Sequence, residues 1–204
     1  WGQKGNFVDV PTDCPQRDER LGWTGDIQVF VRTAAFNMNV AGFMTKWLQD
    51  VADAQGERGS IPAIVPLLGD ELVDGGPAWA DAAIICPWTL YLCYGDRRVL
   101  EQNYPVMERY MGFLEAASPG GIRCAPDYEG WLGFGDWLSI NADTPRDLIG
   151  TAFLAYDAHL MTQIAAVLGK TRDAARYRRL LADVKKAFGA RYLVGAKAAR
   201  SEIK

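Results

Sequence analysis

Histidine is almost missing from this chain: His159 is the only one in 204 residues. Four cysteines are present (Cys14, Cys86, Cys93 and Cys124), and no two of them form a CxxC pair. Together these scarcities leave no zinc-ligand spacing and no dithiol redox motif, so neither a metal nor another cofactor is expected. There is no run of about 18 consecutive apolar residues, which excludes a membrane-spanning helix from the reading. An excess of basic charge is also absent. Lys and Arg number 22 against 25 Asp and Glu, for a formal net charge of -3. A nucleic-acid partner is therefore not expected, because phosphate binding wants a concentrated basic surface. The one basic cluster, Arg172 to Lys186, is interleaved with Asp173 and Asp183 and reads as a solvated helix face. Convincing period-2 alternation is missing too, which argues against a sheet-based fold. No secretory leader is recognisable, but the chain opens on Trp1 rather than Met, so that absence carries no weight.

What the chain does have is apolar residues at helical spacing. Hydrophobic residues make up 49%, enough for a chain of this length to bury a core without disulfide or metal staples. Six helices are predicted: Asp26 to Asn37 with Asp26 as N-cap, Val40 to Gln55, Ala78 to Tyr94, Arg97 to Ala117, Asp147 to Leu168, and Arg172 to about Ala190. In the second, Phe43, Trp47, Leu48 and Val51 mark the apolar face. The third is apolar around most of its circumference and should be buried on several sides, with Pro87 bending it. Cys86 and Cys93 lie in that run and read as buried free thiols. They favour a reducing, cytoplasmic setting over a secreted or periplasmic one. Trp47 and Trp88 fall in apolar stripes and read as core. His159 reads as a core or interface histidine, with Asp157, two residues back, facing elsewhere. Residues 1–25 are expected to be irregular. In the last stretch, 191–204, apolar periodicity fails, so an irregular or truncated tail is expected.

The helices fall into three hairpin pairs with short internal connections (Asn39, GDRR, GKTR). The connections between pairs, 56–77 and 118–146, are long and aromatic. Long loops in a compact domain tend to carry function. Such alternation suits an α/α toroid whose one end is tight and whose other end holds the site. Six helices would be half of a twelve-helix ring, and half a ring should leave apolar faces uncovered. The isolated chain is therefore expected to associate or to be poorly soluble.

The densest polar run is DCPQRDERLGWTGD, Asp13 to Asp26. It holds Asp13, Asp18, Glu19 and Asp26, with Arg17, Arg20 and Trp23 among them. A plain solvent loop can have this composition, and composition alone leans that way. Three features point elsewhere. Crowded carboxyls raise one another's pKa, which keeps a carboxylic acid protonated near neutral pH. Trp23 offers an indole face to a sugar ring. The other long loops repeat the pairing: PAWADAA has Trp79 and Asp81, and EGWLGFGDWLS has Trp131, Asp136 and Trp137. Aromatic plates with carboxylates suit pyranose binding, and glycoside hydrolysis needs two carboxyl groups flanking the bond.

DCPQRDERLGWTGD strongly resembles the catalytic-acid segment of bacterial α-L-rhamnosidases, glycoside hydrolase family 78. The resemblance continues through GGPAWADAAIICPWTLYLCYGD and GFGDWLS to TAFLAYDAHLMTQIAAVLGK, roughly residues 5–190. It implies an all-α (α/α)6 barrel and inverting hydrolysis of terminal α-L-rhamnose from a glycoside or polysaccharide. Position by position, it implies that Glu19 is the general acid and that Asp13 and Asp26 hold sugar hydroxyls. Arg17 becomes a sugar-binding arginine, and Trp23, Trp79 and Trp137 become aromatic walls, with Trp131 competing for the third wall. Asp81 and Asp136 fit motif positions without a settled contact to substrate. Asp18 and Arg20 read as a local salt bridge. The family's general base and pocket histidine lie farther downstream, so the chain reads as residues 1–204 of the N-terminal part of the catalytic domain. The remainder of that domain is its expected partner. Two other readings stay open: a non-catalytic carbohydrate-binding fragment, and a toroid glycosidase for another sugar.

Overall fold

The computed structural model describes residues 1–18, 20–69 and 72–193. Among them are seven α-helices and no strand beyond isolated bridges. Six helices are long: α2 (Thr24–Asn37), α3 (Ala41–Asp53), α4 (Ala82–Tyr94), α5 (Arg98–Ala116), α6 (Arg146–Val167) and α7 (Thr171–Tyr192). The seventh, α1 (Gly2–Asn6), is a single short turn in a segment expected to be irregular. It is tied to α2 by side chains, since Gln3 donates to the Ala34 carbonyl at 3.1 Å and Asn37 donates to Gln3 at 2.9 Å. Helix α7 ends at Tyr192, and the remainder of the tail expected to be irregular, residues 194–204, lies outside the described residues.

The tight turns follow from glycine at helix ends. Gly95 closes α4 in the left-handed conformation, φ 67°, and its N–H bonds the Tyr91 carbonyl at 2.8 Å. Gly169, φ 73°, turns the chain from α6 into α7. A residue with a Cβ pays for that conformation, and glycine does not. The sequence reading misplaces two helix starts most visibly: α4 begins at Ala82 rather than Ala78, and α2 at Thr24 rather than behind an Asp26 cap. Trp23, in extended conformation, is the N-cap of α2, and Asp26 lies in the first helical turn. There its charge favours the helix dipole. Helix α4 runs unbroken through Pro87, and α5 does the same through Pro105.

Helices α2, α4 and α6 form one layer, with α4 between the other two. Helices α3, α5 and α7 form the second. Tyr104 of α5 donates to Asp173 of α7 at 2.8 Å, and Arg176 of α7 pairs with Glu115 of α5 at 2.6 Å. Helix α4 touches α2, α3, α5 and α6, which explains why it is apolar on most sides. Trp47, Leu48, Ile84, Leu100, Met107, Tyr110 and Met161 fill the space between the layers. Each such side chain contributes roughly 1.5–3 kcal/mol on burial. Trp88 is partly buried against this core.

Two placements correct the sequence reading. Cys86 is buried, but Cys93 is exposed, because the C-terminal half of α4 has one open side. His159 is also exposed, which removes the core alternative and leaves the interface one, while Asp157, two residues back on another face, is fully buried. The arginines and lysines of Arg172 to Lys186 are exposed, as expected of a solvated face. The α2–α4–α6 layer leaves large apolar groups uncovered: Val29 at 79%, Phe36 at 78% and Leu92 at 60% exposure. The uncovered apolar surface expected of a partial ring is therefore present.

Candidate active site

The segment 13–26 is held as a closed loop. Asp13 donates its N–H to the Leu21 carbonyl at 3.1 Å and accepts the Leu21 N–H on Oδ1 at 3.0 Å. Its Oδ2 takes the Arg17 guanidinium at 2.5 Å. Partial burial pushes the Asp13 carboxyl up, but the bonds from Leu21, Cys14 and Arg17 outweigh it and hold the group below the usual range. Asp13 is therefore a carboxylate that shapes the loop. Arg20 donates to the Pro15 carbonyl at 3.0 Å. Glu19, at the loop's centre in sequence, lies outside the described residues.

The far end of the segment is fixed to loop 56–77. The Val65 N–H bonds the Gly22 carbonyl, and the Thr24 N–H bonds the Ala63 carbonyl, both at 2.9 Å. The two glycines of GWTGD have steric reasons. A Cβ at Gly22 would stand 2.1 Å from the Val65 carbonyl oxygen, and one at Gly25 would stand 2.6 Å from the Trp79 indole. The motif thus lays the start of α2 directly against Trp79.

Around this contact stands an aromatic cluster centred on Phe134. Its ring lies 5.7 Å from Trp23, 4.7 Å from Trp79, 5.4 Å from Trp131 and 6.0 Å from Trp137, centroid to centroid. Trp79 and Trp137 meet edge to face at 6.4 Å. On one side opens a cleft of about 660 Å³. Asp26, Trp79, Asp136, Trp137 and Phe153 are among its lining residues. Trp137 is 62% exposed and Trp79 only 9%. Asp136 accepts from the Thr144 hydroxyl at 2.9 Å. Asp26 also lines a smaller neighbouring hollow of about 230 Å³ together with Asp13. Trp131 lines a different groove, beside Tyr128 and Phe113. Of the two candidates for the third wall, Trp137 is therefore the one that shares a cleft with Trp79 and Asp26.

Asp81 does not reach the cleft. It is fully buried below the site, where Oδ1 takes Arg123 at 2.8 Å and the Tyr110 hydroxyl at 2.9 Å. Its Oδ2 accepts the Ala78 N–H at 2.5 Å. Arg123 also donates to the Tyr110 oxygen at 3.0 Å. Asp157 completes the group, and burial beside Asp81 pushes its carboxyl well above the usual carboxylate range. Sequence reasoning missed Phe134, Arg123 and the burial of Asp157. Phe134 sits inside GFGDWLS, where the flanking tryptophans drew attention. Arg123 stands in the short apolar stretch GIRCAP, and a lone cation there is a signal for a buried ion pair.

Among the described residues, no group of three or more His, Cys, Asp and Glu is arranged to hold a metal ion. Among the same described residues, no helix is long and apolar enough to cross a membrane.

The sequence matches the model of the bacterial alpha-L-rhamnosidase 6 hairpin glycosidase domain over residues 1–203. It is 47% identical to an alpha-L-rhamnosidase of Streptomyces avermitilis over 193 residues, covering 95% of this chain and 18% of that protein. It is 43% identical to one from Formosa agariphila, covering 92% of this chain and 20% of the relative. The fold superposes on the Streptomyces avermitilis alpha-L-rhamnosidase complexed with L-rhamnose with a TM-score of 0.88 at 46% identity, covering 96% of this chain and 18% of that one. On an α-L-rhamnosidase from Aspergillus terreus the TM-score is 0.86 at 32% identity, with 96% and 23% coverage. The chain thus spans about a fifth of the length of these relatives. Its three helical hairpins are an arc of an (α/α)6 toroid.

Proposed function

The chain belongs to the bacterial α-L-rhamnosidase six-hairpin glycosidase domain family, and from that membership we propose that its parent protein hydrolyses terminal non-reducing α-L-rhamnose from glycosides or polysaccharides. The observation that carries the reading is the cleft bounded by Trp79, Trp137 and Asp26, built directly on the segment 13–26. Indole faces suit the C–H faces of a 6-deoxy sugar. Asp13, Asp26 and Arg17 supply groups for its hydroxyls, and Trp23 backs the aromatic wall.

The reaction we infer is a single displacement with inversion. Glu19 gives its proton to the glycosidic oxygen as the C1–O bond breaks. Water attacks C1 from the opposite face and loses its proton to a carboxylate outside this chain. A separation of about 6.5–9.5 Å between the two carboxyl groups leaves room for that water. Proton NMR of the parent protein acting on an α-L-rhamnoside tests the reading, with β-L-rhamnose expected as the first product. Initial formation of α-L-rhamnose would contradict inversion, and no release of rhamnose would contradict the activity.

A second reading has its own support. No residue of this chain matches the family's base, so the isolated polypeptide is a sugar-binding part without turnover. A rhamnosidase assay on the 204-residue chain separates it from the parent. A panel of aryl glycosides tests the remaining option of another sugar.

A further inference from the structure

We propose that the buried cluster of Asp81, Arg123, Tyr110 and Asp157 is a positioning device that fixes Trp79 on the wall of the sugar cleft. The inference rests on the reading of that cleft as a rhamnose site. Trp79 follows Ala78, which adopts a left-handed backbone, φ 69°. A residue with a Cβ holds that conformation only when its surroundings impose it. Here both peptide groups of Ala78 are clamped. Its N–H is bonded to Asp81 Oδ2 at 2.5 Å, and its carbonyl accepts the Gln28 side-chain amide of α2. Gly25, one turn before Gln28, lies under the indole itself.

Asp81 is in turn held from three elements. Tyr110 comes from α5, Arg123 from the root of loop 118–146, and Asp157 from α6. The Arg123 guanidinium pairs directly with Asp81, and two further carboxyl groups, buried Asp157 and half-buried Asp74, lie within reach of its charge. Neither oxygen of Asp157 receives an N–H or O–H from another described residue, and the group it meets is Asp81. A contact between two carboxyl groups requires a proton between them. Burial beside Asp81 holds the Asp157 carboxyl well above the usual carboxylate range, toward its neutral form, while Arg123 pairs directly with Asp81 at 2.8 Å. The Asp81 carboxyl, fixed on Oδ1 by Arg123 and Tyr110 and backed by buried Asp157, is thereby aimed at the Ala78 N–H. None of the four groups lines the cleft, so the cluster acts on substrate only through Trp79.

The test is steady-state kinetics and L-rhamnose binding in the parent protein, with Asp157→Ala, Asp157→Asn and Tyr110→Phe. A mobile Trp79 weakens substrate and transition state alike, so KM should rise while kcat holds. For Asp157→Ala the expected change is a rise in KM and in the L-rhamnose Kd of about tenfold, with kcat within about twofold. Asp157→Asn keeps a donor toward Asp81 and should restore both constants to within about twofold of wild type. Should Asp157→Ala fail to accumulate folded, Tyr110→Phe, which removes one hydroxyl, carries the test with a smaller rise in KM. Unchanged KM in a folded Asp157→Ala, or in Tyr110→Phe when it stands in for it, overturns the proposal. So does a fall in kcat alone, or an Asp157→Asn variant as impaired as Asp157→Ala. A wild-type parent that neither binds nor releases L-rhamnose would instead overturn the function on which the inference stands.

Discussion

Two sets of acids and arginines lie within this fragment, and they do opposite things. In the segment 13–26, Asp13 and Arg17 form a pair whose carboxylate is 5% exposed and whose arginine side chain is 59% exposed. Beneath the cleft, Asp81 and Arg123 form a pair whose side chains are 0% and 4% exposed. In sequence neither Asp announces its depth, since Asp13 in DCPQRDERLGWTGD and Asp81 in PAWADAA both stand in motifs that hold a proline and a tryptophan. The difference in solvent decides their roles. A pair open to water on its arginine side has little stabilising value, and that guanidinium stays available to a sugar hydroxyl. A pair sealed from water cannot bind anything new, and leaving one partner alone costs far more than the pair returned.

The comparison is broken most severely by removing the buried cation. Arg123→Ala leaves buried Asp81 without its ion-pair partner and should destabilise the parent's catalytic domain by about 3–5 kcal/mol, read as denaturant-induced unfolding. A loss below about 1 kcal/mol would mean that the cluster is not sealed. Gly25→Ala comes next. Its Cβ would stand 2.6 Å from the Trp79 indole, so one of the two must shift, at about 1–3 kcal/mol. Weaker L-rhamnose binding should accompany it, and calorimetry reads both.

Asp157→Asn should act with the opposite sign. The Asp157 carboxyl is raised in the fold by burial, with Asp81 adding to the shift and Arg123 opposing it. Above its unfolded pKa of about 4, the unfolded chain loses this proton while the folded chain keeps it. The wild type therefore gives up stability as pH rises from there toward the folded pKa, and asparagine, with no proton to lose, does not. The melting temperature of Asp157→Asn relative to wild type should climb between pH 5 and pH 8, and a constant difference would contradict a neutral Asp157. The smallest effect belongs to the open pair. Arg17→Ala should change stability by less than about 1 kcal/mol while raising KM, and the reverse pattern would make Arg17 a structural residue.

Much of the fold was legible because long amphipathic helices repeat their signal many times. All six helices predicted from periodicity are present, with their ends shifted by a few residues. Helix α1 has five residues, too few for a period to show. Asp26 was misplaced as a cap because Trp23, an unusual N-cap, begins the helix before the polar residue that normally signals it. The candidate site was legible as loops and residue types but not as depth. Asp81 and Asp157 are 76 positions apart in the chain, and what buries them is the packing of α4 against α5 and α6. No local pattern encodes that. The choice between Trp131 and Trp137 likewise depends on which side of Phe134 each ring falls.

The role assigned to Glu19 is tested most directly by Glu19→Gln in the parent protein, with turnover of a natural rhamnoside and L-rhamnose affinity measured on the same preparation. Loss of general-acid help should slow release of the poorly leaving natural aglycone by at least about 10², with L-rhamnose still bound near its wild-type affinity. Full activity in that variant would contradict the assignment of Glu19 as the acid.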